Sequence, residues 1–204
     1  MAKIGRTGKK VDYRDMRGFL DLLEAKGLLR RIKKEVDLKW ELGAIAARSL
    51  ERAGPALLFE NVKGYPGLPL VTNLISTTEQ IALAFGTEPD EEKIHAAVVE
   101  GLNNRIASVE IASGQAPCQE IVVEGNDVEI FIIPTPWWHE FDGGQYLGTT
   151  AGCVTRDPVA GILNMGSYRV MIKDKDTLTM AGGIRRGREA STGFGGGDHI
   201  LENE

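Results

Sequence analysis

The segment Asn164-Met165-Gly166-Ser167-Tyr168-Arg169 sets a carboxamide, a hydroxyl and a guanidinium close together on one short stretch. That combination suits a bound polar ligand. Asn164 offers an acceptor oxygen to a metal, or a hydrogen bond to a cofactor. Arg169, if buried, can clamp a substrate carboxylate through two parallel hydrogen bonds. The spacing sets a condition. Arg169 lies five residues beyond Asn164, so the two fall on opposite faces of a regular strand. A bulge, a bend, or a ligand at the strand edge is needed to bring both to one site. The competing reading of Arg169 is a surface salt bridge, which contributes little.

Further along, His199 offers imidazole, the commonest nitrogen ligand to metals. A hard divalent ion also wants a carboxylate, and Glu202 and Glu204 are the candidates nearby. The alternative places His199 at the solvent-facing start of a helix. Gly182-Gly183-Ile184-Arg185-Arg186-Gly187-Arg188 has the composition of an anion cradle, with exposed N–H groups and three cations. It lacks the Lys-Ser/Thr ending of a phosphate-binding P-loop, and a plain solvent loop is the other reading. Cys118 and Cys153 have no His at motif spacing and read as buried apolar side chains.

The elements that must position these groups form two sets. A helix is predicted over Met16 to Ala25, capped by Asp15 and ended by Gly27. A strand follows from Leu28 to Val36, then a helix from Trp40 to Ala53 closed by Gly54-Pro55. Short strands are expected at Ala56 to Asn61 and Leu70 to Asn73. A helix capped by Ser76 or Thr77 runs through Phe85, with Glu79 completing a capping box. Another helix opens at Pro89 and continues to Asn103; its Asp90 and His95 read as a solvated face. Composition shifts near Ser113-Gly114-Gln115-Ala116-Pro117, a linker. Beyond it, strands are expected at Glu120 to Val123, Val128 to Ile133, Gln145 to Thr155, Ile162 to Lys173 and Leu178 to Ala181. The Arg156-Asp157-Pro158-Val159-Ala160-Gly161 turn joins the two long arms, and Gly182 to Gly197 is irregular. The reading is α+β, with an N-terminal α+β domain over 1–112 and a β-rich domain over 113–204.

Composition narrows the class. The 204 residues carry a formal net charge of -5, which argues against a dedicated nucleic-acid binder. No apolar run reaches transmembrane length, and the basic start lacks the apolar core of a secretory signal. Two cysteines make no disulfide framework, so a reducing cytoplasm is expected.

Several stretches then carry a family pattern: RGFLDLLEAKGLLRRIKKEVD, PALLFENVKGYPG, IPTPWWHEFDGGQYLGTT, DPVAG and NMGSYR. Together they resemble the N-terminal part of the UbiD-like decarboxylases, which use prenylated flavin mononucleotide. The resemblance implies an N-terminal α+β domain followed by the beginning of a split β-barrel flavin-binding domain. It carries the metal-binding positions onto Asn164 and His199, for manganese or a similar divalent ion, with potassium nearby. Cofactor contacts fall on Asn164, Met165, Ser167, Tyr168, Arg169, Asp198 and His199. Asp198 departs from the Gln or Arg common before that His. Arg169 takes the catalytic position.

The implied activity is reversible non-oxidative decarboxylation of an aromatic or α,β-unsaturated carboxylic acid. The family's catalytic and metal-binding Glu residues lie downstream of Glu204, so a homo-oligomer or a chain supplying the C-terminal region is the expected partner, with no nucleic acid and no membrane. The alternatives are a non-catalytic flavin-binding or assembly subunit, or a related protein acting on a phosphorylated substrate through Arg185, Arg186 and Arg188.

Overall fold

Asp15 starts the first helix by local chemistry. Its carboxylate accepts from the Gly18 amide at 3.0 Å, capping helix α1, Met16–Ala25. Gly27, at φ 71, ends it. This is a computed structural model, and it describes residues 11–104, 106–107, 109–157, 161 and 163–180. The chain divides into two units: Met1–Asp37 with Ala44–Glu124, and Leu38–Gly43 with Gly125–Glu204.

In the first unit, β1 (Leu29–Ile32) runs parallel to β2 (Ala56–Phe59), connected through helix α2 (Glu41–Glu51). Strand β3 (Leu70–Thr72) pairs antiparallel with β2, giving the order β1-β2-β3. The run Ala-Leu-Leu-Phe of β2 is buried at every position, as a central strand covered on both faces must be. Phe19 and Leu23, one helical turn apart on α1, pack with Ala56, Leu28 and Leu29 on one sheet face. The predicted strand from Leu28 to Val36 is shorter than expected, and Val36 makes only an isolated bridge to Val62.

Helix α3 (Thr78–Phe85) starts with a capping box, but the partner is Gln80 and not Glu79. The reciprocal bond needs the third residue after the cap, and from Thr77 that is Gln80. The Gln80 side chain is fully buried, and its Oε1 accepts from Ser76 N at 2.8 Å, Ser76 Oγ at 2.9 Å and Thr77 N at 3.0 Å. Gln80→Ala strands the Ser76 and Thr77 amides, while the Ser76 hydroxyl keeps Asn73 O at 3.2 Å, and is expected to cost about 2 kcal/mol. Thermal unfolding checks it; a melting curve superimposed on the parent's would mean the donors find water. Helix α4 (Glu91–Asn103) is capped by Asp90, which accepts from Lys93 N at 3.0 Å, and His95 is exposed. On the same face as Leu29, Arg31 bonds Glu24 of α1 and Glu60, each at 2.7 Å. That hydrogen bond from Arg31 holds the Glu24 carboxyl below its ordinary range.

Two expectations fail between the helices and the long hairpin. The segments read as strands at Glu120 to Val123 and Val128 to Ile133 contain no strand. The chain there forms short 3-10 turns at Ser113–Gln115, Pro117–Gln119, Gly125–Asp127 and Ile130–Ile132. A strand exists only against a partner; the turns of this stretch close through local bonds such as Gln119 N to Ala116 O and Ile133 N to Ile130 O, while Phe131 N donates to Glu129 Oε1 at 3.1 Å and Ile130 N to Lys175 O at 2.7 Å. Cys118 sits on one of these turns and is exposed, while Cys153 is half-buried, so neither is a buried core side chain.

The second unit holds β4 (Tyr146–Arg156), β5 (Leu163–Ile172) and β6 (Leu178–Met180), an open antiparallel sheet in that order among the described residues. Among the described residues, no helix is long and apolar enough to cross a membrane.

Candidate functional site

The entry to β4 is braced by groups from well-separated parts of the sequence. Trp137 N donates to Leu38 O at 3.1 Å and Trp40 N to Trp137 O at 2.9 Å. Gln145 Nε2 donates to the carbonyl of buried Thr135 at 2.7 Å, and Tyr146 N to Pro136 O at 3.1 Å. Trp137 Nε1 donates to Asp142 O at 3.1 Å, closing the turn before the hairpin. Lys39 Nζ lies 4.8 Å from the Trp40 ring centroid and 5.4 Å from that of Trp137, a cation between two indoles. None of these residues was singled out from sequence. The available signal was the Trp137-Trp138-His139 cluster itself.

Gly43 belongs to the same brace. A Cβ there would come within 3.2 Å of the Trp138 carbonyl carbon and closer still to its oxygen. Gly43→Ala is therefore expected to destabilise by about 1–3 kcal/mol despite alanine's better helix propensity. A melting temperature equal to or above the parent's would show that the Trp138 peptide yields freely.

The hairpin resolves the parity question. β5 is regular, and both register shifts fall in β4, between Tyr146 and Gly148 and between Gly148 and Ala151. Its exposure alternates from Leu163 to Val170, so Asn164, Gly166 and Tyr168 share the half-buried face while Met165, Ser167 and Arg169 share the exposed one. Directly opposed partners extend each face: Thr155 opposite Asn164, Cys153 opposite Gly166 and Ala151 opposite Tyr168 on the first, Val154 opposite Met165 and Gly152 opposite Ser167 on the second. The predicted site residues thus lie on one strand but not on one face. A single ligand meets Asn164 and Arg169 together only by spanning the edge or end of β5.

Small residues keep both faces open. The Tyr168 ring folds back over Gly166, where a Cβ would lie 2.9 Å from its Cζ and Oη. On the exposed face, Val154, Leu163 and Met165 are 63%, 45% and 71% exposed, an apolar strip continuing past Ser167 to Arg169. The Arg169 guanidinium carbon stands 5.8 Å from the Tyr146 ring centroid, the cross-strand neighbour that orients it. Among the described residues, the contact of the Arg169 side chain is an aromatic ring.

At the turn, Gly161 N donates to Asp157 O at 2.9 Å and Arg156 Nη1 to Gly161 O at 3.1 Å. His139 is exposed, its Nδ1 3.5 Å from Asp142 Oδ2. Among the described residues, no group of three or more His, Cys, Asp and Glu could hold a metal. Asp198 and His199, with Glu202, Glu204 and the Arg185, Arg186 and Arg188 cradle, lie outside the described residues.

The fold and the hairpin define a mixed α/β chain whose second unit presents an open antiparallel sheet bearing a polar and cationic strand. Comparison with known families narrows this. Residues 20–97 match the 3-octaprenyl-4-hydroxybenzoate carboxy-lyase N-terminal domain, and residues 109–192 match the Rift-related domain of the same family. The chain belongs to the UbiD family.

An uncharacterized protein of Synechocystis sp. is 34% identical over 209 aligned positions, covering 87% of this chain and 40% of that protein. The vanillic acid decarboxylase of Sedimentibacter hydroxybenzoicus in its closed form is similar at a TM-score of 0.75 and 30% identity, over 82% of this chain and 37% of that one. An evolved dimeric form of the UbiD-class enzyme HmfF from Pelotomaculum thermopropionicum, in complex with prFMN, gives 0.71 and 29%, over 81% and 37%. The chain thus spans about two fifths of the length of these relatives.

Proposed function

We propose that this chain is the N-terminal part or subunit of a UbiD-like carboxy-lyase, a reversible non-oxidative decarboxylase of aromatic or α,β-unsaturated carboxylic acids that uses prenylated FMN. The observation that carries this reading is the regular β5 strand, which sets Met165, Ser167 and Arg169 on one open face and Asn164 and Tyr168 on the other, in a chain of this family. On this reading the domains divide at 112/113, and the open sheet of β4, β5 and β6 is the beginning of the split β-barrel.

The residues present fit the cofactor. The Val154-Leu163-Met165 strip is apolar and exposed, with the Met165 side chain lying over Gly152, which suits contact with an apolar ring system. Ser167, Tyr168 and Asn164 offer hydroxyl, phenol and carboxamide to its polar tail, and Asn164 with His199 would hold a divalent ion such as Mn2+, with K+ nearby. Asp198 would stand beside that site. The bound flavin supplies the electron sink for loss of CO2.

The protein's own part is placement and charge. Arg169, oriented by the Tyr146 ring, would fix the substrate carboxylate through its planar fork, an arrangement Lys cannot reproduce. The half-buried face around Tyr168 and Cys153 limits water on the other side of the strand. The exposed free thiol of Cys118 suits a reducing cytoplasm. Association with a segment or chain supplying the rest of a family-length enzyme would complete the active site, and further copies would set the oligomeric state.

Native mass spectrometry of the protein made in cells that produce prenylated flavin tests this, with an absorbance spectrum of the same sample. A bound modified flavin and a divalent metal are expected. A folded protein lacking both would overturn the site and leave an assembly role.

A further inference from the structure

We infer that the first unit carries a second binding site, for an amphipathic carboxylate with an apolar tail and one anionic head. A hollow of about 570 Å³ lies between α2 and the β1–β2 face. Its apolar lining comes from Ile32, Ala44, Ile45, Pro55 and Leu57, and the volume falls within the range of about 300–1,000 Å³ common to small-molecule sites. Three arginines line it as well, Arg30 on β1, Arg48 on α2 and Arg52 just beyond α2. Arg48 bonds Glu51 at 2.8 Å. The side chains of Arg30 and Arg52 have no hydrogen bond or ion pair among the described residues.

The chemistry of the occupant follows from what the hollow lacks. Ser49 is its one polar uncharged side chain, and its hydroxyl already donates to Pro55 O at 3.0 Å. A peptide main chain would bring N–H and C=O groups into a wall with no partner for them, which is costly. An aliphatic or aromatic tail brings none. Charge selects the head: three arginines among the ten lining residues, of which only Arg48 is ion-paired among the described residues, favour an anion over a neutral lipid or alcohol in a chain of net charge -5. Arginine stems lie along apolar surface while their heads stay wet, so an anion meets them there without burying a charge. The other face of the sheet offers no such set, because Arg31 there is spent on Glu24 and Glu60.

The site is independent of the flavin reading. Decanoate and decanol are titrated separately into the 204-residue protein, below micelle-forming concentrations, by calorimetry and by backbone amide NMR. Expected are saturable decanoate binding, at least about tenfold tighter than decanol, and shifts centred on Ala44, Ile45 and Leu57. Arg30→Gln combined with Arg52→Gln, both exposed and expected to fold, should reduce decanoate to the decanol level. Ala44→Phe, which fills the hollow, should abolish both. Equal affinity for acid and alcohol, an unchanged arginine variant, shifts centred elsewhere, or binding of an acidic peptide without any response to decanoate would each overturn the inference.

Discussion

Arg169→Ala is expected to lower kcat/KM for decarboxylation by about a hundredfold or more in the assembled enzyme, with flavin content unchanged. The size follows from the role. A guanidinium that fixes a carboxylate by two charge-assisted bonds sets the reacting geometry, and misplacement of a reacting group by about 1 Å can cost 10²-fold. Arg169→Lys keeps the charge and loses the fork, so its activity should fall between parent and alanine variant. Tyr146→Leu removes the ring that stands 5.8 Å from the guanidinium, and should lower activity less, through orientation alone. Steady-state kinetics with the flavin quantified per sample separates the cases. Parent-like kcat/KM in the alanine variant would make Arg169 a sheet-surface cation. Loss of flavin in the same variant would move its role from substrate to cofactor.

The parity of Asn164 and Arg169 was legible because side-chain direction alternates along any strand, whatever the tertiary context. What spacing could not reveal was which strand carried the irregularity. It is β4, where Gly148 sits between two register shifts, and β5 stays regular. Helix starts were also legible: Asp15 and Thr77 each place an oxygen where the first free amides need one. The box at α3 was misassigned by one position because two adjacent residues could both be read as the cap.

Ile121-Val122-Val123 misled for a different reason. Their β preference reports how well they suit a pleated, half-buried surface, and it forms no strand without one. Ile121 is 82% exposed here. Gly43 had a weak signal, a glycine inside a helical pattern, but its cause lies in Trp138, far along the chain. The arrangement of Lys39 between Trp40 and Trp137 is of the same kind, and it requires φ 69 at Trp40, which no local pattern of residues announces.

Phe59→Ala should be the most destabilising single truncation in the first unit, costing about 3–5 kcal/mol. Phe59 is fully buried on the central strand, in register with Ile32 on one side and Leu70 on the other. Removing the ring opens a cavity on one face of a sheet whose three strands are held by each other's backbone bonds, so little collapse is available. Against a total of about 5–15 kcal/mol for a domain, the loss is large enough to raise the unfolded fraction visibly. Hydrogen exchange of the β2 amides follows the first unit by itself, without a two-state assumption for the whole chain. Leu50→Ala provides the contrast: Leu50 is 53% exposed on α2, and its truncation should stay within about 0.5 kcal/mol. If Phe59→Ala slowed or sped β2 exchange no more than Leu50→Ala did, β2 would not be the keystone of this unit. The parallel β1–β2 pairing that frames the arginine-lined hollow would then draw its stability from the helices instead.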